Sequence, residues 1–124
     1  TLEITYVPSL AYPAGESKHG PISIIEEDVV CVFVCPRGET RDQIVGSIME
    51  MKARGAKILS ICEEGEEEIK GLSDDCIEMP RGIPEILSPI PYVIPMQLLS
   101  YKLAVLKGLD PDKPRNLAKS VTVP

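Results

Sequence analysis

The chain has 124 residues, a length that favours one domain over two compact ones. Hydrophobic residues make up 44% and charged residues 26%, a balance that is typical of a globular protein and excludes a collagen-like fibre or a chain that is disordered over its whole length. The net charge of −6 comes without a basic cluster, which argues against a nucleic-acid interface or a surface for anionic membranes.

The first part of the chain carries weak secondary-structure signals. Residues 4–7 fit either a strand or the end of a helix. Residues 14–21, AGESKHGP, interrupt any regular pattern, and Pro21 suits the first turn of a short helix. We therefore expect little regular structure before residue 28.

Residues 28–35, DVVCVFVC, form the clearest strand in the sequence. The run is continuously apolar and rich in β-branched side chains, which is typical of a strand that helices cover on both faces. We therefore predict an interior strand of a parallel sheet, with a neighbouring strand on each side.

The next segment predicts an amphipathic helix of about four turns. Thr40 and Gln43 have the spacing of a capping box, and Gly55 is a stop signal. The predicted apolar face contains Ile44, Val45, Ile48 and Met49.

Two further strands are predicted at residues 57–62 and 76–79. Between them lies the acidic run of residues 63–68, EEGEEE. Such a run most often forms a solvated loop and the start of a helix, and a metal site is the alternative. We interpret the run as surface.

Residues 83–109 are dominated by apolar side chains, with four prolines in the first half. The pattern predicts a long helix over residues 95–107 that ends at Gly108. Because this helix is apolar on most sides, we expect it to be buried against the sheet or a partner. Residues 109–124 are polar and lack periodicity, so propensity alone indicates a frayed, irregular tail.

The alternation of strands and helices predicts the fold class. It indicates an α/β protein, a three-layer α/β/α sandwich around a parallel sheet with flavodoxin-like winding. In such folds, functional sites lie at the carboxyl ends of the strands.

The cysteines do not form a recognisable ligand motif. The sequence has no CxxC and only one histidine, and three of its four cysteines lie inside apolar segments. Buried, reduced thiols are the favoured interpretation, with zinc or a disulfide as alternatives. We expect no metal and no cofactor. The four are Cys31, Cys35, Cys62 and Cys76.

Location is inferred from hydropathy. No apolar stretch reaches the roughly 18 residues of a transmembrane helix. Residues 1–20 contain Glu, Pro and Gly where a signal peptide has an apolar core. We therefore expect a cytoplasmic protein without a membrane partner.

Three side chains are candidates for chemistry by residue type. His19 is the only histidine and lies between Gly15 and Gly20, which allow a ligand to approach the backbone closely. Lys119 lies in the polar tail, and Glu3 is almost terminal. On residue type alone, a structural or solvated role is favoured for each, and a role in chemistry is the alternative. The sequence holds no nucleophile elbow, Walker loop or zinc motif.

Three segments resemble the isomerase domain of the glucosamine-6-phosphate synthases, the glutamine:fructose-6-phosphate amidotransferases. They are residues 14–21, AGESKHGP; 95–101, PMQLLSY; and 108–123, GLDPDKPRNLAKSVTV. The resemblance extends over essentially the whole chain. It implies an N-terminally incomplete second sugar-isomerase (SIS) subdomain at residues 1–108 and an active-site tail at residues 109–124.

The resemblance also implies the catalytic residues. Lys119 in the RNLAKS motif would form a Schiff base with open-chain fructose 6-phosphate. His19 would open the sugar ring as acid and base, and Glu3, sixteen residues earlier, would move a proton between C1 and C2. Substrate binding is implied for Ala118, Lys119 and Glu3.

The implied activity is isomerising amination of fructose 6-phosphate by glutamine, which gives glucosamine 6-phosphate. The implied partners are the missing N-terminal part, with the glutaminase and first SIS subdomain, and a second copy in a homodimer. A non-catalytic phosphosugar-binding SIS module is the alternative, and a purely structural segment is a third interpretation. The sequence departs from the family at residues 8–12, PSLAY, where the family has HAEAY. The lysine that the family places three residues before the glutamate would fall just before Thr1.

Overall fold

The computed structural model describes residues 1–115, so Ala118 and Lys119 lie outside the described residues. The chain divides into two compact units. The larger unit is residues 11–93, and the smaller one combines residues 1–10 with the chain from residue 94 onward.

The larger unit contains a three-stranded parallel sheet. Val30 of the first strand lies opposite Lys57 of the second, and Leu59 of the second lies opposite Asp75 of the third. Parallel strands with helices between them confirm the predicted α/β class. In spatial order, the strands are β1 (Val30–Cys35), β2 (Lys57–Glu63) and β3 (Asp75–Met79).

Helices connect and flank these strands. The short helix predicted at Pro21 is present as a 3₁₀ helix, and a second one occupies the segment that we expected to be irregular. Within residues 1–115, the α-helices are α1 (Leu2–Thr5), α2 (Arg41–Lys52), α3 (Glu67–Leu72) and α4 (Pro89–Leu106). The 3₁₀ helices are Ala14–His19, Pro21–Ile24 and Glu85–Leu87.

β1 is an edge strand in the described chain, so the prediction of an interior strand was wrong. It pairs with β2 alone among residues 1–115, and Val30 and Val34 are 65% and 40% exposed. A continuous apolar run indicates that a strand can be buried on both faces. It carries no information on which strands lie beside it. The interior position belongs to β2.

The core of the larger unit lies between α2, α3 and one face of the sheet. Alternate residues of β2 point to that face, and they include Ile58 and Cys62, which are almost fully buried. The buried face of α2 centres on Ile48 and Met51, which leaves Met49 half-exposed at its margin, contrary to prediction. The predicted capping box does not form either, because Thr40 makes no side-chain cap hydrogen bond.

The acidic run of residues 63–68 has two environments. Its second half starts α3 with Glu66 as the N-cap residue, as predicted for a loop and helix start. Arg41 joins it to α2, with Nη2 2.9 Å from Glu66 and 2.8 Å from Glu68. Glu63, however, ends β2 and is buried, so the surface interpretation was wrong at that residue.

α4 begins six residues earlier than predicted and contains Pro95 in its interior. Prolines are tolerated in the first turn of a helix, so Pro89 and Pro91 do not prevent an earlier start. The helix is not buried on most sides by the described residues, because Ile90 and Leu98 are more than half exposed. Among residues 1–115, no helix has the combined length and apolar character needed to cross a bilayer.

All four cysteines are free thiols. Cys35 and Cys62 are buried, and the Sγ atoms of Cys62 and Cys76 lie 3.1 Å apart in a hydrogen bond. Burial raises the pKa of Cys31 and Cys62, and it raises the pKa of Cys35 to about 12. Among the described residues, no group of three or more His, Cys, Asp or Glu side chains converges as metal ligands.

Cys35 is expected to react with iodoacetamide far more slowly in the native protein than in guanidinium. Because burial raises its pKa from 9.0 to about 12, its thiolate fraction at pH 8 falls by about a thousandfold, and the buried sulfur is also hard to reach. Peptide mass spectrometry of labelled protein measures both rates, with the more exposed Cys76 as the internal comparison. Rapid native labelling of Cys35 would contradict the buried position.

Candidate functional site

Glu3 lies on α1, and polar contacts hold this short helix to the C-terminal half of α4 and to Lys107, the residue that follows α4. The hydroxyls of Thr1 and Ser100 lie 2.8 Å apart in a hydrogen bond. Lys107 Nζ donates to the carbonyl oxygen of Thr5 at 2.6 Å. Thr5 is fully buried, and its hydroxyl donates to the carbonyl oxygen of Thr1. α1 is therefore fixed at both ends, while Glu3 in its first turn is solvent-exposed.

The chain that leads into the RNLAKS motif meets the residue that follows α1. The backbone N–H of Arg115, the first residue of the motif, donates to the hydroxyl of Tyr6 at 2.7 Å. The Arg115 guanidinium also lies 4.1 Å from the centroid of the Tyr6 ring, a cation–π contact. Tyr6 caps α1 with φ of 56°, a left-handed conformation that is uncommon for tyrosine. These contacts bring the start of the motif to the helix that carries Glu3.

His19 is the last residue of the 3₁₀ helix Ala14–His19 in the larger unit, and its side chain is exposed. Gly20 follows with φ of 139°, a conformation that L side chains rarely adopt. Pro21 then begins the next 3₁₀ helix. The chain therefore turns sharply after His19 and leaves the imidazole accessible.

The 3₁₀ helix that carries His19 borders an open cleft of about 370 Å³ beside α2. Ser47 Oγ donates to the carbonyl oxygen of Ala14 at 2.9 Å, and Lys18 Nζ lies 2.8 Å from Glu50 Oε1. Ser17, a residue of this helix, is buried. The cleft is lined by Gly15, Lys18, Asp42, Gln43, Gly46, Ser47 and Glu50.

The predicted site residues are therefore distributed over both compact units and the part of the chain outside residues 1–115. Glu3 and the start of the RNLAKS motif belong to one compact unit, and His19 belongs to the other. Ala118 and Lys119 lie outside residues 1–115, so the proposed roles of these side chains remain predictions. Tyr6 was not predicted as a site residue, because its contact with Arg115 joins residues 109 positions apart and leaves no local pattern.

Comparison with known proteins gives a consistent result. The glutamine–fructose-6-phosphate aminotransferase (isomerizing) of Thermococcus kodakarensis is 52% identical over 121 residues, 98% of this chain and 20% of that protein. The enzyme of the same name from Thermus thermophilus is 50% identical over the same coverage. The chain thus spans about a fifth of the length of these curated relatives.

A solved structure and a family model agree with these relatives. The C-terminal domain of glucosamine-fructose-6-phosphate aminotransferase from Francisella tularensis superposes with a TM-score of 0.80 and 34% identity. That alignment covers 88% of this chain and 31% of the solved chain. The family model of the SIS domain matches residues 1–107. Because this match includes most of the 124 residues, the chain belongs to the SIS domain family.

Proposed function

We propose that this chain is the C-terminal isomerase segment of a glutamine–fructose-6-phosphate aminotransferase (isomerizing). Such an enzyme makes glucosamine 6-phosphate and glutamate from fructose 6-phosphate and glutamine. The observation that carries the proposal is the 52% identity over 98% of the chain to a protein of that name. Within the proposal, residues 1–108 are an incomplete second SIS subdomain and residues 109–124 are an active-site tail.

Ring opening is the first chemical step in the proposal and belongs to His19. The imidazole removes the proton of the anomeric hydroxyl and supplies a proton to the ring oxygen, which breaks the C2–O5 bond. A histidine can do both because its ordinary pKa is near neutrality. The exposed position of His19, at the end of an anchored helix, supports a role toward a ligand outside its own unit's core.

Covalent catalysis belongs to Lys119. Its neutral amine attacks C2 of the open-chain sugar, water leaves, and the resulting iminium makes the C1 hydrogens acidic. The amine has to be neutral to attack, which a desolvated site favours. Ala118, its neighbour in the RNLAKS motif, contacts the substrate in this proposal.

Proton transfer belongs to Glu3, which also contacts the substrate. A single carboxylate within reach of both carbons removes a proton from C1 and delivers one to C2 after ammonia has replaced the lysine. The contacts that fix α1 at both ends support this role, because a base has to be held in place. The Tyr6–Arg115 contact supports it too, since it brings the start of the RNLAKS motif to α1.

The proposal includes partners for the segment. The rest of the enzyme supplies ammonia from a glutaminase and binds the sugar phosphate in a first SIS subdomain. The working form is a cytoplasmic homodimer in which His19 serves the neighbouring subunit's site. A non-catalytic phosphosugar-binding module is not favoured by the names of the relatives, and it gives no role to Lys119.

The complete enzyme that contains this segment is expected to make glucosamine 6-phosphate from fructose 6-phosphate and glutamine. The isolated 124-residue chain is expected to lack this activity, because phosphate binding supplies much of the energy that positions a phosphosugar. Chromatographic detection of glucosamine 6-phosphate, and of glucose 6-phosphate without glutamine, measures both reactions. Binding without turnover by the complete protein would favour the phosphosugar-binding module. Isomerisation by the isolated chain at the complete enzyme's rate would show that the site lies wholly within these residues.

A further inference from the structure

The 3₁₀ helix that ends at His19 is tied to α2 at both of its ends. At the first end, Ser47 Oγ donates to the carbonyl oxygen of Ala14 at 2.9 Å. At the other end, Lys18, which directly precedes His19, lies 2.8 Å from Glu50 Oε1. Ser47 and Glu50 are three residues apart on α2, so they occupy one face of that helix.

The 3₁₀ helix needs such anchors. It has six residues, and 3₁₀ runs longer than three or four residues are uncommon because their hydrogen bonds have poor geometry. Gly20 follows with φ of 139°, and a glycine has the widest backbone freedom of any residue. The contacts on the N-terminal side of His19 therefore contribute to holding its backbone in position.

α2 is a firm support for these contacts. Ile48 and Met51, which neighbour the two anchoring residues on the helix, are buried in the core. Ser47 is 4% exposed, and the Glu50 side chain is 31% exposed, which is well below the 64% of its partner Lys18. Glu50 Oε2 is buried without a hydrogen-bond partner among residues 1–115. A carboxylate that is partly withdrawn from water in this way forms a stronger ion pair with its lysine than a fully exposed carboxylate does.

We propose that Ser47 and Glu50 are positioning residues for ring opening: they hold the 3₁₀ helix so that His19 meets the sugar at a fixed place. The inference rests on the proposed function, in which His19 opens the ring of fructose 6-phosphate. Neither residue touches the substrate. They act through the backbone of Ala14 and the side chain of Lys18.

The test compares two substrates in the complete enzyme. The furanose ring of fructose 6-phosphate has to be opened before the reaction. 5-Deoxyfructose 6-phosphate lacks the hydroxyl that closes this ring, so it is always in the open form. Glu50→Gln is expected to lower kcat for glucosamine 6-phosphate formation from fructose 6-phosphate by about 10- to 100-fold, since small misplacements of a catalytic group cost that much. The rate of solvent deuterium exchange at C1 of the 5-deoxy analogue should change by less than about twofold, because this substrate needs no ring opening and so does not depend on the position of His19. Ser47→Ala should show the same split between the two substrates.

Matched variants separate positioning from general damage. Glu78→Gln on β3 breaks the 3.0 Å pair with Lys70 of α3 and should leave the reactions of both substrates unaffected. The reversed pair Lys18→Glu with Glu50→Lys should recover most of the fructose 6-phosphate activity that each single reversal loses. Equal loss on both substrates in Glu50→Gln, or no recovery in the reversed pair, would overturn the inference.

The variant His19→Gln distinguishes a failure of this inference from a failure of the proposed function. That variant should lose activity with fructose 6-phosphate and keep exchange with the 5-deoxy analogue. If His19→Gln shows this split and Glu50→Gln does not, the positioning role is wrong while the proposed function stands. If His19→Gln keeps full activity on fructose 6-phosphate, the proposed role of His19 is wrong.

Discussion

Lys119→Arg in the complete enzyme is expected to abolish the covalent adduct that borohydride traps with fructose 6-phosphate. A guanidinium stays protonated at any pH at which the protein is folded, so it cannot attack a carbonyl carbon. The arginine keeps the positive charge of the lysine. If Lys119 only paired with the sugar phosphate, Arg would therefore replace it with little loss of turnover, and the substrate affinity would change more than the turnover rate. The intact mass of the reduced protein measures the adduct, and we expect none above background.

Lys113→Arg is the matched control for this experiment. Lys113 lies in the same C-terminal segment and is exposed, and the substitution makes the same chemical change. Its adduct should form as in the unchanged enzyme. An undiminished adduct in Lys119→Arg would contradict the Schiff-base role and would favour a phosphosugar-binding module.

Glu3→Gln is expected to leave the adduct intact and to stop proton exchange between C1 and C2. The amide keeps the size of the side chain but is not a base, so turnover should fall by about 10²- to 10⁴-fold, the usual contribution of general acid–base catalysis. Because Glu3 is exposed, stability should change little. Solvent deuterium incorporation, measured with the adduct mass, separates the two steps.

An exposed carboxylate elsewhere in the chain provides the comparison for Glu3. Glu26→Gln removes a charge from a turn in the larger unit and should leave both exchange and adduct unchanged. Exchange at the unchanged rate in Glu3→Gln would assign proton transfer to a different group. Loss of the adduct in the same variant would instead indicate a role for Glu3 in Schiff-base formation or substrate binding.

The parts of the fold that follow from local patterns were predictable. β2, β3 and α2 were expected close to their observed positions, because side-chain periodicity reports directly on which faces an element can bury. The edge position of β1 was not predictable from its own residues, since it depends on strands elsewhere. The early start of α4 was missed because prolines near a helix start were interpreted as preceding it.

The candidate site also has parts that could be predicted from the sequence and parts that could not. Glu3, His19 and Lys119 were identified through motifs that resemble a known family, and no periodicity would have selected them. The contact between Tyr6 and Arg115 joins residues at opposite ends of the chain, so only a folded structure reveals it. Ser47 and Glu50 look like ordinary polar residues of an amphipathic helix. Their contacts with the 3₁₀ helix that carries His19 become apparent only when the two elements are seen together.

The open edge of β1 has a practical consequence for work with the isolated segment. Along that edge, the backbone N–H and C=O groups that do not face β2 have no strand partner among residues 1–115, and Val30 and Val34 are exposed beside them. A strand edge of this kind is a template for pairing with another chain, and natural edges are commonly protected by charged side chains, proline or bulges. β1 contains none of these charges or prolines. We therefore expect concentrated solutions of the segment to aggregate through β1, and we expect Val34→Lys to reduce that aggregation.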